Sequence, residues 1–416
     1  MGRTVLTMSS RADAEAMDRA DPLSNLRDRF ELPDGLIYLD GNSLGPLPVG
    51  VRERLADVID VEWGRDLISS WNTHDWIGQP ARVGARIARL IGAPESSVIV
   101  GDSTTVQIFK LLVAATRLRP DRRVLVTDPG NFPTDSYIVA SVARLTGLQP
   151  RWCDPADIAD ALDESVAAVE LSHVDYRTGR MYDAAAITAA VHEAGALVLW
   201  DLCHSAGAVP VDLEAWDADL AVGCGYKYLN GGPGAPAFAY VHPRWHDAID
   251  QPISGWMGHA APFALERAYR PAPGVARLLA GTPPIVSMSA LDAALDAFDG
   301  VSMTDVRAKS LALTDYVIAL VEQRLSVYGV TVEVPRRHEQ RGSQVCLRHP
   351  GAYGLVQALI ARGVVGDFRD PDFARFGFTP LYLRFADVWD AVDQMADVLR
   401  SREWDEPRYA VRAGVT

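Results

Sequence analysis

Short apolar runs of strand length alternate with stretches of helical spacing from residue 98 to about residue 241, and this alternation leaves few folds open. The strand-like runs fall at 98–100, 123–127, 166–171, 196–200, 220–224 and 237–241, with helical patterns at 105–116, 135–145 and 184–194 among them. Short strands that are apolar on both faces and separated by helices read as βαβ units around a mostly parallel sheet. After Pro284 the pattern changes. Residues 285–298 and 304–325 carry long helical spacing, and short strand runs at 330–334 and 344–347 then alternate with helical 353–362 and 387–399. The expected organisation is α/β throughout: an N-terminal arm over residues 1–49 packed with the small domain, a large domain over 50–300, and a smaller C-terminal α/β domain over 301–416. A chain of 416 residues commonly divides in this way. In open sheets of this kind ligands bind beyond the carboxyl ends of the strands, so the polar residues just after each strand are the ones to inspect.

Several classes of function are disfavoured at once. The net charge is −14 and no basic run interrupts it, whereas nucleic-acid phosphates need clustered Lys and Arg. No apolar run approaches the ~20 residues that span a bilayer, which argues against a membrane protein. Residues 1–21 lack the basic start and apolar middle of a secretory leader. The four cysteines, Cys153, Cys203, Cys224 and Cys346, show no C-x-x-C spacing and read as reduced thiols of a cytoplasmic protein, with no metal site expected.

Lysine is scarce. Only Lys110, Lys227 and Lys309 occur, and every other permanently basic side chain is Arg, which cannot act as an amine nucleophile. Lys110 and Lys309 fall inside long helical patterns and are expected on solvated faces. Lys227 follows a strand, stands between Tyr226 and Tyr228, and is trailed by glycines that permit close backbone approach. An apolar, aromatic setting favours imine formation with an aldehyde; a snorkelling surface lysine is the bland alternative. One strand earlier, Asp201 ends an apolar run, where it can pair with a protonated ring nitrogen or simply cap the next helix. His204 follows closely, as a ring neighbour or a structural histidine. Ser103, Thr104 and Thr105 join a strand to a helix, an arrangement suited to a phosphate and equally to plain capping. Phe132 could stack on a planar ring, with Asp135 either in a network around that ring or serving as a helix cap.

Six segments taken together resemble kynureninase: YLDGNSLG at 38–45, NFPTD at 131–135, HVDYRTG at 173–179, WDLCHSAG at 200–207, YKYLNGGPG at 226–234 and RFGFTPLY at 375–382. The resemblance runs from about residue 36 to the C-terminus. It implies the fold-type-I architecture of pyridoxal-phosphate enzymes, a large domain with a mostly parallel, seven-stranded sheet and a smaller α/β domain. It also implies pyridoxal 5'-phosphate held on Lys227 as a Schiff base, Asp201 at the pyridine nitrogen and Phe132 over the ring. Ser103, Thr104 and Thr105 would lie at the phosphate, with Tyr226 as donor and acid. Ser172, His204 and Asp135 would surround the ring. Trp256 and Thr282 resemble residues that reach the phosphate from a neighbouring subunit, so a homodimer is implied. Arg375 resembles the residue gripping the substrate carboxylate, and Ser43 and Trp71 take positions near the substrate's aromatic end, with core packing as the alternative for Trp71. Two departures stand out: Thr282 replaces the Asn of other members, and Cys203 stands where Ala is common.

The implied reaction is hydrolytic Cβ–Cγ cleavage of L-kynurenine to anthranilate and L-alanine in tryptophan degradation. Whether the 3-hydroxy derivative is preferred depends on pocket geometry that the sequence does not reveal. The alternatives are a cysteine desulfurase, an aminotransferase, or a cofactor-free scaffold that kept the fold.

Overall fold

The computed structural model describes residues 10–412; the first nine residues of the stretch searched for a leader lie outside them. The chain forms two compact units. The first takes in the described part of Met1–Val49, Arg177–Met181 and the described part of Ala297–Thr416; the second is Gly50–Tyr176 with Tyr182–Asp296.

The second unit is built on seven strands: β1 (Val98–Val100), β2 (Val124–Thr127), β3 (Gln149–Trp152), β4 (Val166–Ser172), β5 (Leu197–Asp201), β6 (Leu220–Cys224) and β7 (Ala237–Val241). Their order across the sheet is β1-β7-β6-β5-β4-β2-β3. Only β7 runs antiparallel to its neighbours, so the mostly parallel sheet expected from the apolar runs is present. The longer helices of this unit are α1 (Gln79–Leu90), α2 (Thr104–Leu118), α3 (Pro133–Thr146), α4 (Ala184–Glu193) and α5 (Ile285–Ala294).

Helix boundaries follow local chemistry. Ser103 caps α2 by accepting from the Val106 amide, and Asp183 caps α4 through Ala186. Pro133 opens α3, which ends at Gly147 in the left-handed region. A core of Ile, Leu, Val and Ala from α2, α3 and the strands fills the space between sheet and helices. Register then fixes which polar groups meet. β4 pairs with β5 so that Ser172 stands beside Asp201, and β2 pairs with β4 so that Thr127 stands beside Glu170. Because residues alternate faces along a strand, Thr127, Glu170, Ser172 and Asp201 share one face.

The first unit carries a four-stranded sheet of β8 (Thr331–Val332), β9 (Gln344–Arg348), β10 (Asp367–Arg369) and β11 (Phe373–Gly377), ordered β10-β11-β9-β8. Helices α6 (Met303–Arg324), α7 (Ala352–Ala361) and α8 (Phe385–Ser401) belong to it. The arm joins this unit through specific bonds: the Asp18 carboxylate accepts from the amides of Phe385 and Ala386, capping α8, and Asp21 pairs with Lys309 at 2.6 Å.

Two expectations are overturned here. Lys110 and Lys309 are not on solvated faces; both are buried. Helix α2 is enclosed along most of its length from Gln107 to Thr116. Its lysine is therefore matched by the Asp102 carboxylate at 2.5 Å and the Leu278 carbonyl at 2.6 Å, as a buried charge requires.

Candidate active site

Lys227 lies three residues beyond the end of β6, in a loop held closely against its surroundings. The Gly231 amide donates to the Gly225 carbonyl. A Cβ on Gly225 would come within 2.6 Å of the Pro236 carbonyl oxygen, so only glycine allows this approach. The loop sets the Lys227 Nζ 3.0 Å from His204 Nε2 and 5.9 Å from the ring centres of both Phe132 and Tyr226.

Around that amine is a cavity of about 70 Å³ walled by Thr104, Thr105, Phe132, Thr134, Asp135, Ser172, Tyr176, Asp201, Cys203, His204, Tyr226 and Lys227. Asp201 comes from the end of β5, where it also accepts from the Cys203 amide at 2.7 Å. Asp135, in the first turn of α3, is enclosed, and its Oδ2 has no hydrogen-bond partner. Burial, reinforced by Glu170 and Asp201, pushes the Asp135 carboxyl well above the ordinary carboxylate range. Phe132 and Tyr176 meet edge to face at 5.2 Å. Ser172 donates to Asn131 Oδ1 at 2.7 Å. Burial raises the Tyr226 phenol above its usual value, with Cys224, Cys203 and Asp201 adding to the effect.

A wider hollow of about 630 Å³ adjoins it, sharing Thr104, Thr105 and Tyr226; Asp102, Ser103, Thr282 and the loop Pro233–Ala237 line the rest. Thr282 thus stands in one hollow with Ser103, Thr104 and Thr105 of its own chain. Trp256 is 40% exposed, packs edge to face on Phe263 and lines neither cavity. Trp71 also lines neither; it packs on Trp76 at 5.7 Å.

The first unit holds a separate polar cluster. Asp367 and Arg375 are direct partners across β10 and β11. The Arg375 Nε donates to Asp367 Oδ1 at 2.8 Å, and its terminal nitrogen reaches both Asp367 Oδ2 and Ser43 Oγ, the latter at 2.8 Å. Ser43 Oγ donates to Asp367 Oδ2 at 2.6 Å. Burial works against ionisation of Asp367, yet Arg375 and Arg369 hold it below the usual range. Burial and the Asp367 charge push neighbouring Asp40 up to about 7.

Sequence reasoning passed over Asp40, Asn131, Glu170 and Asp367. The available signal for Glu170 was a charge inside an apolar strand run. Asp367 needed the strand register. Among the described residues, no group of His, Cys, Asp and Glu is arranged to hold a metal, and no helix is long and apolar enough to cross a membrane.

The fit to a flat, cationic ring with an anionic arm can be tested on these groups. Buried Asp135, Glu170 and Asp201 gather near the Lys227 amine, Asp135 Oδ2 has no hydrogen-bond partner, and Phe132 offers a ring face. Ser103, Thr104 and Thr105 supply hydroxyls at a helix N-terminus. The fit is good. The fold agrees. The chain is similar to a cysteine desulfurase from Thermococcus onnurineus NA1 (TM-score 0.76, 18% identity, 91% of this chain and 98% of that one). It is also similar to the cysteine desulfurase CsdA from Escherichia coli (TM-score 0.75, 19% identity, 91% and 98%). The chain therefore has the α/β fold of these proteins, with its mostly parallel seven-stranded sheet.

Sequence comparison narrows the class. Kynureninase from Burkholderia mallei (strain SAVP1) is 53% identical across 98% of this chain and all of that protein, and kynureninase from Pseudomonas fluorescens is 49% identical over the same shares. A family model described as the kynureninase C-terminal domain matches residues 306–395. The chain belongs to the kynureninase family.

Proposed function

We propose that the protein binds pyridoxal 5'-phosphate at Lys227 and hydrolyses L-kynurenine to anthranilate and L-alanine. The observation that carries this reading is the Lys227 amine, set between Phe132 and Tyr226 above buried Asp135 and Asp201, in a chain half identical to kynureninases. The desulfurase alternative is disfavoured by the state of the thiols. Cys203 walls the cavity but is buried, its thiol pushed well up by the Cys224 hydrogen bond and burial; half-buried Cys153 lines neither cavity and is also pushed up, by burial and Asp157, whereas that chemistry needs an accessible thiolate.

The cofactor supplies an electron sink for the carbon skeleton of the substrate. The chain's own residues then have defined tasks. Lys227 Nζ would hold the aldehyde and would carry protons to and from the substrate carbon, with His204 Nε2 within hydrogen-bond reach. The Asp201 carboxylate keeps the ring nitrogen protonated, while Asp135 holds its own proton. Phe132 fixes the ring plane. Ser103, Thr104 and Thr105 grip the phosphate with hydroxyls and amides. Tyr226 stays protonated and can donate from its phenol to phosphate or substrate. Arg375 takes the substrate carboxylate through its guanidinium, whose orientation is set by Asp367 and Ser43. Trp71 and Ser43 serve the aromatic end of the substrate; Trp256 reaches the phosphate of a second copy, and Thr282, which shares its hollow with Ser103, Thr104 and Thr105 of its own chain, borders the phosphate there.

A homodimer and a cytoplasmic location in tryptophan degradation complete the proposal. Light scattering should give twice the 45.2 kDa chain mass. Anthranilate release from L-kynurenine, followed by fluorescence, tests the function. Lys227→Ala should lose at least ~10³-fold in turnover. Undiminished release would rule out the role given to Lys227. The same assay with 3-hydroxykynurenine ranks the two substrates.

A further inference from the structure

Glu170 has no part in the chemistry just described, yet it is wholly enclosed in the sheet beneath the Lys227 cavity. Its neighbours account for its carboxyl group atom by atom. Thr127 Oγ1 donates to Glu170 Oε2 at 2.8 Å across the β2–β4 pair. The Asn131 amide nitrogen donates to Oε1 and Oε2 at 3.2 and 3.3 Å. That bond settles which way the Asn131 amide faces, since nitrogen toward Glu170 turns the oxygen to the other side. The Asn131 oxygen there accepts from the Phe132 amide at 2.8 Å and from Ser172 Oγ at 2.7 Å. Phe132 and Ser172 both wall the cavity around Lys227.

We propose that Glu170 is a positioning residue. Through the Asn131 amide it sets the backbone of Phe132 and the hydroxyl of Ser172, and so the seat of the cofactor ring. The inference rests on the reading of Phe132 and Ser172 as cofactor contacts. A carboxyl is suited to the task because its Oε2 can accept from Thr127 and Asn131 together, in the ionised and in the protonated acid. An apolar residue of the same size would leave the Thr127 hydroxyl and the Asn131 amide without acceptors inside the sheet and free the amide to flip. Burial pushes the Glu170 carboxyl up to about 8, against the pull of Thr127 and Asn131, so glutamine is close to the neutral acid in shape and charge. One oxygen at the Oε2 position already lies within reach of both Thr127 and Asn131, and Glu170→Gln keeps it.

The test uses full-length apo-protein titrated with pyridoxal 5'-phosphate, read by affinity and by the circular dichroism of the bound cofactor band, which reports ring seating independently of turnover. Glu170→Met is expected to weaken binding ~10-fold and at least halve the dichroism, while Glu170→Gln stays within about twofold of wild type. Thr127→Val removes only the far donor. It should lower the melting temperature of the apo-protein and leave affinity and dichroism unchanged, a pattern a general packing defect at Glu170 would not separate. Asn131→Ala should match Glu170→Met, and the double variant should be no worse than Asn131→Ala alone. If Glu170→Met does not accumulate as folded protein, Asn131→Ala, which leaves the Glu170–Thr127 bond in place, must give the ~10-fold loss by itself. Wild-type affinity and dichroism in either variant overturn the relay, as does a loss in Glu170→Gln equal to that in Glu170→Met. Wild-type protein that takes up no pyridoxal phosphate would instead refute the functional reading on which the relay rests.

Discussion

Replacing Lys110 by methionine tests how the enclosed helix α2, capped by Ser103, is held. The lysine side chain is 0% exposed and its partner Asp102 is 30% exposed. The amine also binds the Leu278 carbonyl at 2.6 Å, which ties the loop before Thr282 to the segment that carries Ser103. Breaking one member of a buried pair costs about 3–5 kcal/mol, mostly from the charge left behind. Lys110→Met leaves that charge on Asp102, which keeps contact with water and can turn outward. Its cost is therefore discounted to about 2–3 kcal/mol, including roughly 1 kcal/mol for the lost bond to Leu278. The reciprocal change, Asp102→Asn, strands the charge on a lysine with no route to solvent. It should cost about 4 kcal/mol, the middle of that undiscounted range.

Urea unfolding of the apo-proteins, followed by circular dichroism, measures both. The chain has two compact units, so the transition to score is the one these variants move. The double variant should cost about 2 kcal/mol less than the sum of the single changes, because neither stranded charge remains. An Asp102→Asn cost smaller than that of Lys110→Met, or simple additivity, would refute the assignment of a buried, mutually dependent pair.

Three further outcomes follow from the geometry. Arg375→Ala leaves the buried Asp367 carboxylate leaning on Arg369 and Ser43 and should destabilise by about 3 kcal/mol in urea, the lower end of the range for a broken buried pair, with Asp367→Asn added to it recovering part of the loss. Asp40 titrates near 7 in the fold and near 4 when unfolded, so between those values the folded state binds the extra proton and stability falls as pH rises. Asp40→Asn should remove a loss of about 4 kcal/mol between pH 4 and pH 8, seen as a smaller drop in melting temperature than wild type shows; parallel pH profiles would count against it. Gly225→Ala places a methyl 2.6 Å from the Pro236 carbonyl oxygen and 2.9 Å from Leu291. It should cost about 2–3 kcal/mol in urea and weaken cofactor uptake by shifting the Lys227 loop; unchanged affinity would show that the loop tolerates a displaced backbone.

What could be read from the sequence, and what could not, divides along a physical line. The large sheet was legible because its interior strands are apolar on both faces, and strand 166–172 needs no partner to announce itself. The edge strand Gln149–Trp152 was not, because a proline and an arginine in four residues erase the apolar signal that only buried strands must carry. Strands Asp367–Arg369 and Phe373–Gly377 went unread for a related reason: each carries charges that become tolerable only when Asp367 lies opposite Arg375. Lys227 stood out because lysine is rare and its flanks are unusual. The rarity of lysine said nothing about Lys110, whose burial depends on an aspartate eight residues earlier and a carbonyl 168 residues later. Local sequence exposes residues whose environment is set by neighbours in the chain. Groups such as Glu170, whose two donors come from β2 and the loop after it, become meaningful only once register brings them together. A charged residue inside an otherwise apolar strand run is therefore a marker in its own right: burial obliges the fold to supply its partners, and at Glu170 those partners lead to the walls of the site.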